Sequence, residues 1–169
     1  MMDLEKLANF LVIAKKATYA NEFATKLPDP ERPLHDELEY SDGEFYYMDS
    51  YVGFFQAPGM EEVRLNNKNG KAIWTMAYSG GMLRDYQESK DFAKETFTFL
   101  KSALGSVEES SPFRGPKKLE AKHGLWIYEN SFEGDIKRFK GHEKIMIRTD
   151  ECYQEVFSQD YIGGIVIGK

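Results

Sequence analysis

The sequence predicts an α+β fold of two tandem αββββ repeats, each an antiparallel sheet packed by one helix, the two related by a pseudo-twofold. Three observations carry this reading. First, Leu38–Gly53 aligns without a gap on Leu119–Gly134, with identity at six of sixteen positions where ordinary composition gives about one. After a one-residue insertion Gly59, Glu61, Val63 and Leu65 fall on Gly141, Glu143, Ile145 and Ile147. After another, Ile73-Trp74 falls on Val156-Phe157, and Tyr78 to Gly81 on Tyr161 to Gly164. Second, turn signals and alternating apolar positions run through both copies. Third, an amphipathic helical pattern precedes each.

The elements follow in chain order. Asp3 is placed to cap a helix in which Leu4, Leu7, Ala8, Leu11 and Ala14 share a face, widened by Phe10 and Ile13. Asp42-Gly43 predicts a two-residue hairpin between strands near 38–41 and 44–51, and Asn69-Gly70 a second between 61–66 and 71–78. Ser89 or Asp91 starts a second helix with Phe92, Thr96, Phe99, Leu100 and Ala103 on one side, and Gly105 is expected as a left-handed terminus. Leu11, Val63, Leu65, Trp74, Phe99, Leu100, Ile145, Ile147 and Phe157 are the expected core. The chain reads as one domain over 1–169: a first repeat at about 1–83, a linker at about 106–118, and a second repeat at about 89–169 including its helix. The proline-bearing segment 21–37 is read as a flap or as a loop over a site.

Composition narrows the function classes. A net charge of −6 disfavours long nucleic acids, whose phosphates need Lys and Arg in excess. The charge is uneven: residues 114–148 carry 9 Lys and Arg against 5 Asp and Glu, whereas 1–113 carry 12 against 19. The single cysteine, Cys152, is read as a loop residue, and no metal or cofactor is expected, because His35, His123 and His142 are scattered. The opening residues show neither a signal peptide nor a membrane span, so a cytoplasmic protein is expected.

Pro112-Phe113-Arg114-Gly115-Pro116, Trp126-Ile127-Tyr128, Phe132-Glu133-Gly134, Gly141-His142-Glu143 and Tyr161-Ile162-Gly163-Gly164 occur in an order that resembles a domain-of-unknown-function family of small bacterial and archaeal proteins. The likeness runs from the first helix to the terminal Gly-Gly. Some relatives carry a Cro/C1-type helix-turn-helix ahead of this domain; this chain is expected to lack one, since it opens in the first repeat helix. The resemblance implies the fold, hints at effector binding and transfers no catalytic residue.

No GxSxG, HExxH, P-loop or EF-hand pattern occurs, and Gly163-Gly164 lacks the helix a dinucleotide loop needs. The expectation is therefore a non-catalytic domain binding a small molecule or effector, possible guests being small anions. The site is placed between the lobes beside 21–37 and the linker. Arg114, Lys117 and Lys118 would supply charge there, and Tyr47, Tyr51, Tyr128 and Tyr161 stacking or hydroxyl contacts. Arg114 is equally read as pinning the linker through an acidic residue such as Glu108. The alternatives are a hydrolase-type enzyme using Asp49, Glu61 or Glu143, and a structural protein that forms a homodimer through strand edges.

Overall fold

The Asp3 carboxylate accepts hydrogen bonds from the backbone N–H of Glu5 and Lys6 and starts α1, Leu4–Ala17. This computed structural model describes residues 2–150 and 152–168; Glu151, which the sequence puts in the last turn, lies outside them. Two helices and one eight-stranded antiparallel sheet form a mixed α/β fold. The strands are β1 (Asp36–Asp42), β2 (Phe45–Tyr51), β3 (Gly59–Leu65) and β4 (Ala72–Met82), followed by α2 (Lys90–Leu104). Then come β5 (Lys118–Ala121), β6 (Trp126–Asp135), β7 (Arg138–Arg148) and β8 (Tyr153–Ile165).

The sheet order is β1-β2-β3-β4-β8-β7-β6-β5. This corrects the expectation of one sheet per repeat. β4 and β8 pair from Trp74 opposite Ile165 to Met82 opposite Phe157, with Tyr78 facing Tyr161. Two four-stranded sheets would each leave that row of N–H and C=O groups open, and joining them satisfies both rows. On either side the strands run in chain order from the edge of the sheet inward to the seam. A bulge occurs at Ile73 and another at Val156, where the register shifts between Val63 and Arg64 and between Ile145 and Met146. Each bulge sends two successive side chains, Ile73-Trp74 and Val156-Phe157, into the core.

Residues paired across antiparallel strands share a face, so one face carries both helices. Leu7, Phe10 and Leu11 of α1 pack with Phe45, Val63 and Trp74, and Phe99, Leu100 and Ala103 of α2 with Trp126, Ile145 and Phe157. Leu65 and Ile147, expected in the core, are only partly buried at its border, and Ile13 is 40% exposed. Ser89 caps α2, but Gly105 has φ −64° and is right-handed, because Gly105 and Ser106 N–H still reach the carbonyls of Lys101 and Ala103. The first hairpin loop is Gly43–Glu44, one residue beyond the expected Asp42-Gly43, since Asp42 still pairs with Phe45. Between β3 and β4 the left-handed residue is Asn66 rather than the Asn69-Gly70 pair. The turn holding Gly124 spans 122–125, longer than its counterpart, and Leu119 pairs with Tyr128 whereas Leu38 pairs with Asp49.

Segment 21–37 is packed at its far end. The Glu37 carboxylate, fully buried, accepts from Glu31 N–H at 2.7 Å and from the Ser50 hydroxyl at 2.9 Å, and its own carbonyl accepts from Leu27 N–H at 2.8 Å. Among the described residues no helix is long and apolar enough to cross a membrane.

Candidate functional site

The register sets Asp49 opposite Glu61 on β2 and β3, and Asn130 opposite Glu143 on β6 and β7. All four side chains are buried on the helix-bearing face. Buried carboxylates need cations and hydrogen bonds to offset lost hydration. α1 supplies Lys15, whose ammonium bonds Glu61 Oε2. The linker supplies Arg114, whose Nε and Nη2 lie 2.9 and 2.7 Å from Glu143 Oε1, with Nη1 3.5 Å from Glu61 Oε1. Tyr128 donates to Glu143 Oε2 at 2.6 Å, and Gln159 Nε2 to Glu143 Oε1 at 2.9 Å. Arg114 is thus pinned by Glu143 and Glu61, not by Glu108, and it ties the linker to both sides of the seam.

The two tyrosines of the seam end on different partners. Tyr78 donates to Asp49 Oδ1 at 2.6 Å, and Tyr161 to Asn130 Oδ1 at 2.8 Å. Burial, then the charge of Glu61, pushes the Asp49 carboxyl up to about 7, against the opposing pull of Tyr78, Arg114 and Lys15. Burial lowers the Lys15 pKa despite Glu61. Burial works against the Arg114 charge too, but Glu143 and Glu61 together outweigh it and hold the guanidinium protonated.

Above this cluster lies a cavity of about 900 Å³ between the end of α1, one side of α2 and the β4–β8 seam. Asp49, Tyr78, Arg114 and Gln159, all buried, form its floor. Tyr19, Tyr51, Phe54, Phe97 and Phe157 line the walls, and Lys16, Lys26, Lys94 and Lys101 come from its more exposed side. The 52–58 loop reaches the cavity because β4 has no side chain where they touch. A Cβ at Gly81 would overlap the Phe55 carbonyl oxygen, which instead accepts from Met82 N–H at 2.7 Å. Asn21, Glu22, Phe23 and Lys26 border the opening, so this end of segment 21–37 lies beside the cavity.

The expected site residues are only partly assembled. Arg114 and Tyr51 line the cavity. Tyr47 lies beneath, around a gap of about 10 Å³ shared with Lys15 and Glu61. Tyr128 is bonded to Glu143 and to Gly115 N–H, away from the cavity. Tyr161 shares the helix-bearing face but is buried on Asn130 and does not line the cavity. Lys117 and Lys118 are exposed, and Lys118 pairs with Glu120 at 2.7 Å. Sequence reasoning missed Lys15, which lies four residues after Leu11 and so on the buried face, because a lysine shows no local sign that it is buried. It also missed Lys94, Phe97, Thr98 and Lys101, whose spacing makes one stripe on the side of α2 turned from the core.

The groove on the opposite face, about 770 Å³, includes Ser131, His142 and Asp160. His142 Nδ1 lies 2.8 Å from Asp160, and Nε2 lies 3.5 Å from the Ser158 hydroxyl. That last distance exceeds the 2.6–3.2 Å of a nucleophile–base hydrogen bond, and the residues form a polar row across exposed strands.

Over residues 49–166 the chain matches a family described as a domain of unknown function (DUF5680), and it belongs to that family. The match covers the floor of the cavity and most of the sheet, and it begins after α1, which contributes Lys15 and Lys16. No curated protein and no solved structure matches the chain.

Proposed function

We propose that this chain is a non-catalytic binding domain that holds a small organic molecule in the cavity over the β4–β8 seam. The observation that carries the reading is the cavity itself: about 900 Å³, walled by aromatic rings, with four buried polar side chains converging on its floor. Sites for small ligands have this size and this division between apolar walls and a few fixed polar groups. The fold is read as an internal duplication of a helix and four strands, supported by the matched bulges, the Tyr78–Tyr161 pairing and the two carboxylates at Glu61 and Glu143. On that reading one copy kept an open cavity, and the other was filled by the linker.

The test is a thermal-shift screen of small organic acids, bases and neutral ring compounds on the full chain and on Thr98→Trp. Thr98 is exposed on α2 and lines the cavity, so an indole there fills the space without disturbing the core. Hits that stabilise the parent and not the variant support the reading. An absence of hits, or equal shifts in both, overturns it.

One observation favours a second reading, in which Asp49 moves a proton. A buried carboxyl titrating near 7 at a cavity floor is suited to acid–base work. A ligand that is bound but chemically unchanged after prolonged incubation argues for the first reading, and a product absent with Asp49→Asn for the second.

A further inference from the structure

The charges around the cavity run against those of the chain. The protein carries −6 overall, yet the cavity is lined by five cationic side chains, the four lysines and Arg114, against three carboxyls, Glu22, Asp36 and Asp49. Two of the lysines are already compensated: Lys26 pairs with Asp36 at 2.6 Å and Lys94 with Asp91 at 3.6 Å. Lys16 and Lys101, from the last turns of α1 and α2, have no ion-pair partner among the described residues. The aromatic rings, for their part, already hold cations. The Lys101 ammonium lies 5.3 Å from the Tyr19 ring, that of Lys26 lies 5.6 Å from Tyr51, and the Arg114 guanidinium lies 5.3 Å from Tyr78. A cationic guest would displace these groups or meet their repulsion; an anionic one finds two ammonium groups awaiting a counter-charge. Apolar surface continues to the opening, where Phe23 is 84% exposed and Phe54 40% exposed.

Resting on the binding reading above, we infer that the ligand is an organic anion with an aromatic or other apolar body. Its carboxylate, sulfonate or phosphate end lies between Lys16 and Lys101, and its body lies among Tyr19, Phe54 and Phe97. Asp49 and Gln159 at the floor would select a ligand whose far end carries a hydroxyl or amide.

A matched pair of fluorescent probes tests this: anilinonaphthalene sulfonate, and the same ring system without the sulfonate, N-phenylnaphthylamine. The parent should bind the sulfonate about tenfold more tightly, with the preference shrinking as salt is raised. In the Lys16→Gln/Lys101→Gln double variant the two affinities should converge, while Lys101→Arg keeps the preference; melting temperatures close to the parent's establish that the variants are folded. If the neutral probe binds the parent as tightly as the sulfonate, or the double variant keeps the full preference, the anion inference is overturned and the cavity still stands as a binding site. If neither probe binds, or Thr98→Trp leaves both affinities unchanged, the binding reading fails and this inference with it.

Discussion

Two halves of the sheet present nearly the same residues and put them to different use. In the first, Tyr78 bonds Asp49, Glu61 takes its cation from the helix at Lys15, and a seven-residue loop, 52–58, separates β2 from β3. In the second, Tyr161 bonds Asn130, Glu143 takes its cation from the linker at Arg114, and only residues 136–137 separate β6 from β7. The linker also closes the second half. Asn130 donates from Nδ2 to the Gly115 carbonyl at 2.8 Å and from its backbone to that of Lys117 at 3.0 Å, and Phe113 stacks on Phe139. The linker backbone covers the face at Asn130, whereas at Asp49 the cavity remains open above the Arg114 side chain. A single change from amide to acid, Asn130 against Asp49, accompanies that difference, as suits a group facing neighbouring carbonyls in one half and open space in the other.

Removing the shared cation should break the comparison most severely. Arg114→Ala leaves Glu143 and Glu61 without it and should cost about 3–5 kcal/mol in urea unfolding. Lys15→Met should cost less, because Arg114 still lies within reach of Glu61. Equal losses would show that the two halves are held independently.

The next largest effect is expected at the glycines where a loop lies on a strand. A Cβ at Gly81 would overlap the Phe55 carbonyl, and one at Gly164 the Lys137 carbonyl, at φ of 151° and 155°. Either change to Ala should cost about 1–3 kcal/mol. A much smaller loss at Gly81 would show that the longer loop yields where the tight turn does not, and would sharpen the contrast.

Asn130→Asp should cost about 1–3 kcal/mol at neutral pH, because the new carboxylate loses the donor that now meets the Gly115 carbonyl. A stability unchanged at pH 7 would mean that the amide is not needed to hold the linker.

The most graded test is a pH profile. Asp49 titrates at about 7 in the folded protein and at about 4 when unfolded, so between those values the native state keeps a proton that the unfolded chain has released. Stability from this group is complete below pH 4 and is lost as pH rises from there through 7, by about 1.4 kcal/mol per pH unit at most. Asp49→Asn, which copies the second half, should flatten that slope in unfolding curves measured from pH 4 to 8. A slope that survives the substitution assigns it to other groups.

Local chemistry was well marked in the sequence. The Asp3 and Ser89 caps, the helix faces and the paired Ile73-Trp74 and Val156-Phe157 segments could all be placed from periodicity and self-similarity. Seven of the nine expected core residues are buried; Leu65 and Ile147 are not, because they lie near strand ends where the helices no longer cover the sheet. What escaped was set by pairing between distant strands. Nothing local to β4 or β8 says that they are neighbours, so the single sheet was not foreseen. Arg114 was suspected, but its partners lie 29 and 53 residues away and could not be named. Tyr128 and Lys118 were placed at the site by residue type alone, and geometry turned one inward and the other to solvent.

The β4–β8 seam also bears on how the chain should fold. Every other strand pair joins neighbours along the chain, so each four-stranded meander closes only short loops as it forms. The seam brings together Met82 and Phe157, and Trp74 and Ile165, across about half the chain, and its loop entropy is the largest of any strand pairing in the sheet. Among the described buried ion pairs, Lys15–Glu61 and Arg114–Glu143 each lie within one half, and Arg114–Glu61 crosses the seam. The loop entropy favours late closure of the seam, so the folding rate should respond to salt chiefly through that crossing contact.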